Sequence, residues 1–138
     1  MVEFAIITPL LLLLIAGIAD FGFLFQSFEV TTNAAREGAR VAILPGYDVN
    51  TYAAPRARVA DYITSANLKG SYTTNIVPET FDLGGGVTVE GVRVTVTYVH
   101  PMWIIGPIVG MINQTFQPTI TYTTVARMRT EMQAGATP

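Results

Sequence analysis

Residues 4–25 read FAIITPLLLLLIAGIADFGFLF, and this apolar stretch is the strongest structural signal in the sequence. Asp20 is its one charged residue, and Thr8 is its one other polar side chain. As a helix the stretch would rise roughly 33 Å at about 1.5 Å per residue, which is enough to cross a hydrocarbon core of about 30 Å. The sequence therefore predicts a helix that can span a bilayer.

A cleaved signal peptide is the alternative interpretation of this stretch. Signal peptides begin with basic residues and end at a small-residue cleavage site, whereas this stretch follows Met-Val-Glu and runs on into helix-forming sequence. We therefore expect it to stay attached. No Lys or Arg precedes it, while Arg36 and Arg40 follow it, so the positive-inside rule gives no orientation. The removal of a basic leader would account for that arrangement.

Composition limits the function classes. The 138 residues fit one compact domain, and at 50% hydrophobic and 13% charged they fall below the charge of about 25% that soluble domains carry. This composition indicates contact with lipid or extensive burial between subunits. A net charge of −2 gives no basic field for phosphates and argues against a nucleic-acid partner. Because the chain has no cysteine, disulfides and thiol chemistry are excluded.

The helix is expected to continue beyond the apolar stretch. Residues 26–43 are rich in alanine and helix-tolerant residues, and Pro45 with Gly46 should end the helix at Leu44. Such a helix has about forty residues and a length of roughly 60 Å. Its first half must be buried by something other than this small chain. The predicted packing face of its second half consists of Phe28, Ala35, Ala39 and Ala42.

The remaining sequence predicts a short helix and a small sheet. Pro55 is well placed in the first turn of a helix over 56–67, whose apolar stripe is Val59, Ala60, Ile63 and Ala66. Strands are predicted over 72–77, 87–99 and 119–128, with a turn at the glycines 84–86. In the clearest strand, Val92, Val94, Val96 and Tyr98 share one face, and Arg93, Thr95 and Thr97 share the other. Residues 100–112 form an apolar connection broken by prolines and glycines.

Residues 2–42 resemble the N-terminal signature of the TadE-like pilins of tight-adherence (type IV-like) pilus systems. The signature consists of a Val-Glu-Phe-Ala start, a Pro within a leucine-rich run, an acidic residue before Phe-Gly, and an Asn-Ala-Ala-Arg-Glu-Gly-Ala-Arg block. The tail is also similar, since a last strand runs into Ala126, Met128 and Arg129, with Glu131 one residue later than usual. Residues 46–91 match nothing specific in the family.

The resemblance implies an α+β, pilin-like fold. We expect a long N-terminal transmembrane or filament-core helix within an assembly segment, residues 1–44. A small extracytoplasmic domain with an antiparallel sheet of three or four strands would follow at 45–138. Family members are cut after a Gly, usually leaving the Glu fifth in the mature chain; here it is Glu3, so the numbering is expected to lack two residues or the register differs. A leader peptidase, an assembly ATPase and a membrane platform are the implied partners.

Two acidic residues are candidates for setting the register of assembly. A carboxylate at Glu3, at the end of an apolar helix, is costly to desolvate unless a cation meets it, and the free amino terminus of a neighbouring subunit is the nearest candidate. The alternative is a place in the headgroup region. Asp20 interrupts apolar sequence, so Arg36 or Arg40 of a staggered neighbour could meet it, or it could lie at the membrane surface.

The other residues predicted to take part in assembly include two that weaken the helix and a cluster of three charged residues. Pro9 and Gly17 permit a local bend, although membrane helices often tolerate proline without consequence. Arg36, Glu37 and Arg40 form either a subunit contact or a solvated face. The predicted assembly residues are Glu3, Phe4, Pro9, Leu12, Gly17, Asp20, Phe21, Arg36, Glu37 and Arg40.

No catalytic, cofactor or metal site is predicted. His100 is the only histidine, and no Ser or carboxylate is placed by sequence to form a triad with it. Asp48, Asn50 and Asp61 lack the spacing of a calcium loop. The sequon at Asn113 is a pattern common by chance. Residues 102–112, with Trp103, are either a membrane or subunit contact or a cap on the core of the sheet.

The sequence thus predicts a non-enzymatic structural subunit. Before assembly it would be anchored in the bacterial inner membrane. It would then be incorporated into a surface filament for adhesion, as a homo-oligomer or with other pilin subunits. The alternative is a single-pass anchored extracytoplasmic scaffold or binding domain that never polymerises. An anchored hydrolase would need a cleft with convergent polar groups, which the sequence does not indicate.

Overall fold

The computed structural model describes residues 2–44, 51–112 and 118–130. The elements in chain order are α1 (Val2–Ala42), α2 (Ala53–Ser65), β1 (Ser71–Asp82), β2 (Thr88–Pro101), α3 (Ile105–Ile112) and β3 (Thr119–Arg129). The three strands form one antiparallel sheet in the order β1-β2-β3. The predicted α+β layout, a long apolar N-terminal helix followed by a small antiparallel sheet, is confirmed.

Helix α1 is continuous over its 41 residues and passes through both Pro9 and Gly17. The hydroxyl of Thr8 donates to the carbonyl of Phe4 at 2.6 Å, within the turn that precedes the proline. The helix ends at Ala42, two residues before the predicted end at Leu44. Pro45 and Gly46, to which the predicted stop was assigned, lie outside the described residues.

Small side chains let the second half of α1 lie close to the sheet. The buried residues of this face follow the helical spacing of three and four and are Ser27, Thr31, Ala34, Ala35, Gly38, Ala39 and Ala42. The predicted face is therefore correct for its alanines but not for Phe28, which is 45% exposed. The Phe28 ring lies at the rim instead, with its centroid 5.5 Å from that of Tyr122.

Strand β2 is the centre of the sheet and supplies most of its inner face. Val92, Val94, Val96 and Tyr98 are buried on that face, as the alternation predicts. The valines pack against the alanines of α1, and cross-strand neighbours on β1 and β3 flank them within the sheet. Thr124 of β3 joins the sheet to α1 directly, because its hydroxyl donates to the carbonyl of Thr31 at 3.3 Å.

The outer face of the sheet carries a charge cluster that spans all three strands. Arg93 and Arg127 are directly opposite each other on β2 and β3, a pairing of like charges that is unfavourable by itself. Glu79 on β1 forms a hydrogen-bonded ion pair with Arg93 and lies 3.5 Å from Nε of Arg127. The hydrogen bond from Arg93 lowers the pKa of Glu79 below its ordinary value. Glu79 therefore compensates both guanidinium groups.

Other elements also differ in extent from the prediction. Helix α2 begins at Ala53 rather than at residue 56, so Pro55 is its third residue. Strand β1 runs to Asp82, five residues beyond the predicted end at Val77, and continues through Pro78 because β1 is an edge strand. The apolar connection, for which no helix was predicted, contains helix α3. The predicted glycine turn is present, with positive φ at Gly84, Gly85 and Gly86.

Candidate membrane and assembly surface

The first half of α1 is an apolar surface that the rest of the described chain leaves largely uncovered. Within the described residues, α1 is the one helix with the length and composition to cross a membrane. Phe4, at its start, is 77% exposed. The other exposed large apolar side chains of this half are Ile6, Ile7, Leu10, Leu11, Leu12, Leu13, Leu14, Ile15, Ile18, Phe21, Phe23 and Phe25. They point to all sides of the helix, which is consistent with membrane anchoring.

Asp20 is the exception on this surface, because its side chain is only 2% exposed. Its carboxylate accepts hydrogen bonds from three consecutive backbone N–H groups, which belong to Trp103, Ile104 and Ile105. The shortest joins Oδ2 of Asp20 to the nitrogen of Ile105 at 2.8 Å. These donors lead into the first turn of α3, where backbone N–H groups have no helical partner and the helix dipole favours negative charge. Asp20 therefore caps α3 from another helix.

The cap fixes the position of α3 beside the apolar half of α1. A Cβ atom on Gly17 would lie 3.8 Å from Cδ1 of Ile105, which is ordinary van der Waals contact. Ala16, one turn of helix before Asp20, is buried as well. Ile105 therefore packs against α1 at Gly17, on the face that carries Ala16 and Asp20.

Ser27, about two helical turns after Asp20 on α1, forms a buried polar pair with His100 of β2. The hydroxyl of Ser27 is 2.8 Å from the carbonyl oxygen of Leu24 and 3.2 Å from Nδ1 of His100. Because a carbonyl can only accept, the single hydroxyl hydrogen goes to Leu24, and Nδ1 of His100 donates to Ser27. Nε2 is then the unprotonated ring nitrogen, and it is buried without a hydrogen-bond partner among the described residues. Burial lowers the pKa of His100, although the charge of Asp20 opposes the shift.

The Ser27–His100 pair does not have the arrangement of a catalytic dyad. The Ser27 hydroxyl points at a helix carbonyl rather than at a base, and the oxygens of Asp20 are engaged by backbone amides instead of orienting the imidazole. A cavity of about 290 Å³ adjoins the pair, but its lining is mostly apolar and includes Phe23, Leu68, Tyr98 and Trp103. Nor do the described residues contain a cluster of three His, Asp or Glu side chains that could hold a metal.

The predicted assembly residues fall into three groups. Glu3, Phe4, Pro9, Leu12, Phe21 and Arg36 are exposed, and neither Glu3 nor Arg36 has an ion-pair partner within the described residues. Glu37 lies 3.5 Å from Arg40 and 4.0 Å from Arg58 of α2, so it forms a partly solvated pair on the chain's own surface. Gly17 and Asp20 lie together under α3. The pairing of Asp20 with Arg36 or Arg40 of a neighbour stays a prediction and would compete with the amide bonds described above.

Sequence reasoning missed the partners of Asp20. Two features of the sequence indicated such a contact. One is a lone acid in an apolar helix, and the other is an apolar connection whose glycines and prolines leave backbone groups without regular partners. The roles of Ser27 and His100 were missed for a related reason, since the contact joins residues 73 positions apart. Neither residue has a local pattern that indicates the other.

The second half of the long apolar helix packs on a small three-stranded antiparallel sheet, and its first half is exposed. This is an α+β, pilin-like layout. The model of the TadE-like protein family matches residues 1–40, which confirms the resemblance over the N-terminal helix. The match suggests an association of the chain with the Tad pilus. Neither the curated proteins nor the solved structures give a match to this chain.

Proposed function

We propose that this protein is a structural subunit of a tight-adherence, type IV-like pilus, assembled through its N-terminal helix into a surface filament for adhesion. The observation that carries the proposal is the division of α1 into a half that packs on the sheet and an apolar half that is exposed on nearly all sides. The match of residues 1–40 to the TadE-like family supports it. In this proposal, residues 1–44 serve assembly and residues 45–138 form the extracytoplasmic part.

The proposed mechanism is a change of surroundings for the apolar half of α1. Before assembly the helix is anchored in the inner membrane, and afterwards equivalent helices of other copies or other pilin subunits replace the lipid. Lipid chains and leucine side chains are similarly apolar, so this exchange has little net hydrophobic driving force. Packing and charge must therefore direct it. A leader peptidase, an assembly ATPase and a membrane platform are the partners that such a route requires.

Glu3 is the proposed register residue. Its side chain is exposed at the start of α1, and no cation faces it within the described part of the chain. In a filament core it would need one, and the amino terminus of a neighbouring subunit supplies it. We expect Glu3→Gln to be inserted in the membrane but excluded from filaments. Glu29→Gln is the matched control, since it neutralises an exposed acid on the same helix outside the apolar half.

Cross-linking through introduced cysteines tests polymerisation directly, because the natural chain has no cysteine. With Leu12→Cys, oxidation of filaments built from copies of this chain should produce disulfide-linked dimers, because Leu12 of one copy would face Leu12 of another in the core. Thr73→Cys, exposed on the outer face of the sheet, should give none through the core. Cryo-electron microscopy of the same filaments should show repeated copies of α1. Filaments that lack this chain altogether would contradict the proposal.

The second candidate function is a single-pass anchored scaffold that does not polymerise. One observation favours it: α3 already covers the side of α1 that carries Ala16, Gly17 and Asp20, so this side is not free for another helix. For a scaffold, the chain should remain in the membrane fraction, and Leu12→Cys should stay monomeric on oxidation. Co-purification with other envelope proteins, without filaments, would support this candidate.

A further inference from the structure

The described part of the connection that follows β2 lies alongside the exposed half of α1. Helix α3 and the residues that lead into it, here called the α3 loop (residues 102–112), are held there by the bonds of Asp20 to Trp103, Ile104 and Ile105. Asp20 is five residues before Phe25, where the apolar stretch ends, which corresponds to about 8 Å along the helix axis. The contact of Ile105 at Gly17 lies about 12 Å from that end. Along the axis of α1, the loop therefore lies beside the apolar stretch and not beyond its end.

The outward side of the α3 loop is apolar. Residues 102–112 contain no charged side chain, and the indole nitrogen of Trp103 is their one polar side-chain group. Trp103, Ile104 and Ile108 are partly exposed, and Met111 is 88% exposed. Together with Phe21 and Phe23 of α1 they extend the apolar surface of the helix sideways. Tryptophan is characteristic of the boundary between a bilayer and water, because its ring is apolar and its N–H needs a polar partner.

The backbone of the α3 loop has internal partners where a loop normally depends on water. Asp20 accepts from three successive amides at the start of α3, and Pro107, in its first turn, has no N–H to satisfy. At the neck of the loop, the nitrogen of Met102 donates to the carbonyl of Pro118 at 3.1 Å. Irregular backbone is tolerated at membrane depth only when its polar groups are satisfied within the protein.

We propose that the α3 loop is a membrane-embedded element, which lies in the lipid leaflet that adjoins the sheet, beside α1. Its occupant is lipid, because α3 is fixed to α1 at a level where the other sides of that helix face hydrocarbon in the anchored protein. The buried Asp20 supports this placement, because its carboxylate satisfies three successive amides, those of Trp103, Ile104 and Ile105, where the chain enters the leaflet. This inference rests on the membrane anchoring by α1 that the proposed function includes.

Trp103 is the only tryptophan of the chain, so its fluorescence reports on the loop alone. The protein is reconstituted into phosphatidylcholine vesicles that carry bromine either near the headgroup end or near the middle of the acyl chains. We expect the bromolipids to quench Trp103, with the stronger loss for bromine near the headgroup end, because Trp103 is bonded at the level of Asp20. Iodide in the aqueous phase should have little effect.

A second reporter separates this proposal from the proposed function. In the background Trp103→Phe, the change Leu12→Trp places the indole about 20 Å from Phe25 along α1, near the middle of the bilayer. Quenching of this reporter by mid-chain bromine, with Trp103 quenched by iodide instead, would overturn the embedded loop and leave the anchored helix intact. The absence of bromolipid quenching for both reporters would overturn both. Trp103 shielded from iodide and bromolipid alike would indicate cover by a second copy, which also overturns the lipid assignment.

The role of Asp20 is tested with the same fluorescence. Asp20→Ala removes the acceptor of three amides, and we expect Trp103 to lose its bromolipid quenching and become accessible to iodide. Asp61→Ala, which removes an exposed acid on α2, is the matched control and should leave both unchanged. Full bromolipid quenching of Trp103 in Asp20→Ala would contradict the proposed role of Asp20. The wild-type measurement tests the embedded loop even if the variant does not fold.

Discussion

Gly38 of α1 lies directly against the side chain of Val59 of α2. A Cβ atom built on Gly38 would lie 2.5 Å from Cγ2 of Val59, a distance at which one of the two must move. Val59 has no exposed surface and cannot turn outward. The carbonyl of Pro55 and a methyl group of Val94 lie within 3.6 Å of the same point, so the space is closed from three sides.

Gly38→Ala should therefore destabilise the protein. Overpacking of a filled core costs about 1–3 kcal/mol, while alanine gains roughly 1 kcal/mol over glycine in a helix, so we expect a net loss of up to about 2 kcal/mol in the free energy of unfolding. Urea unfolding in detergent, followed by circular dichroism, measures it. Gly22→Ala, on the same helix with no atom within 4 Å of its Cβ position, should be neutral or slightly stabilising. Equal effects of the two variants would refute the role of the close approach.

Asp20→Ala should loosen α3 without unfolding the sheet. Hydrogen bonds to charged groups are worth about 1.5–3 kcal/mol each, so three amides that lose their acceptor should exchange with solvent deuterium at least 10-fold faster. Hydrogen exchange read by mass spectrometry should localise the change to Trp103, Ile104 and Ile105. The amides of β2 at Val94 and Val96 are the internal reference. Unchanged exchange in the loop would show that its position does not depend on Asp20.

Tyr98→Phe should destabilise the core through one unsatisfied backbone group. The N–H of Gly70 donates to the Tyr98 hydroxyl at 2.6 Å, and the side chain of Tyr98 is buried. A fully buried donor left without an acceptor costs about 1–3 kcal/mol, and because the Gly70 N–H is only part-buried we expect a loss of about 1 kcal/mol, which urea unfolding can resolve. Tyr122→Phe is the control, because the buried Tyr122 hydroxyl has no hydrogen-bond partner among the described residues. A larger loss for Tyr122→Phe than for Tyr98→Phe would contradict this assignment.

His100 should make the folded state sensitive to mild acid. Burial holds its pKa below the ordinary value of 6.5, so between the folded and unfolded pKa values the unfolded chain binds the extra proton. The contribution of neutral His100 is complete above 6.5 and is lost as the pH falls toward the lower, folded pKa. We expect the free energy of unfolding to decrease with acid in that window, and His100→Asn to remove this slope. Because His100 is the only histidine, a slope that persists in the variant would assign the effect elsewhere.

The elements with strong local patterns could be predicted from the sequence. The apolar run predicted that α1 is long. The alternation of Val92, Val94, Val96 and Tyr98 predicted which residues of β2 lie on each face of the sheet. The boundaries were harder. Strand β1 extends beyond Val77 because pairing with β2 continues through Pro78, and that pairing is set by the partner strand rather than by the local sequence.

The contacts of the candidate surface could not be predicted, because they join segments far apart in the chain. Asp20 lies 85 positions before Ile105, and no local pattern states which backbone a lone acid will cap. The presence of helix α3 was hidden by Gly106, Pro107 and Gly110, which favour loops on local propensity. Phe28 was placed on the packing face by its spacing, but the small residues around Ala35 bring the sheet too close for a large ring.

The unbroken course of α1 has a mechanical consequence. A pull on the sheet is transmitted along the axis of one helix to its apolar end, without a hinge between the two halves. From Gly17 towards the sheet, the load is shared with the α3 loop at Asp20 and then with β2 at Ser27. Near Pro9 the helix carries the load alone, with one backbone hydrogen bond fewer. Extension of the molecule under force should therefore begin at the end farthest from the sheet.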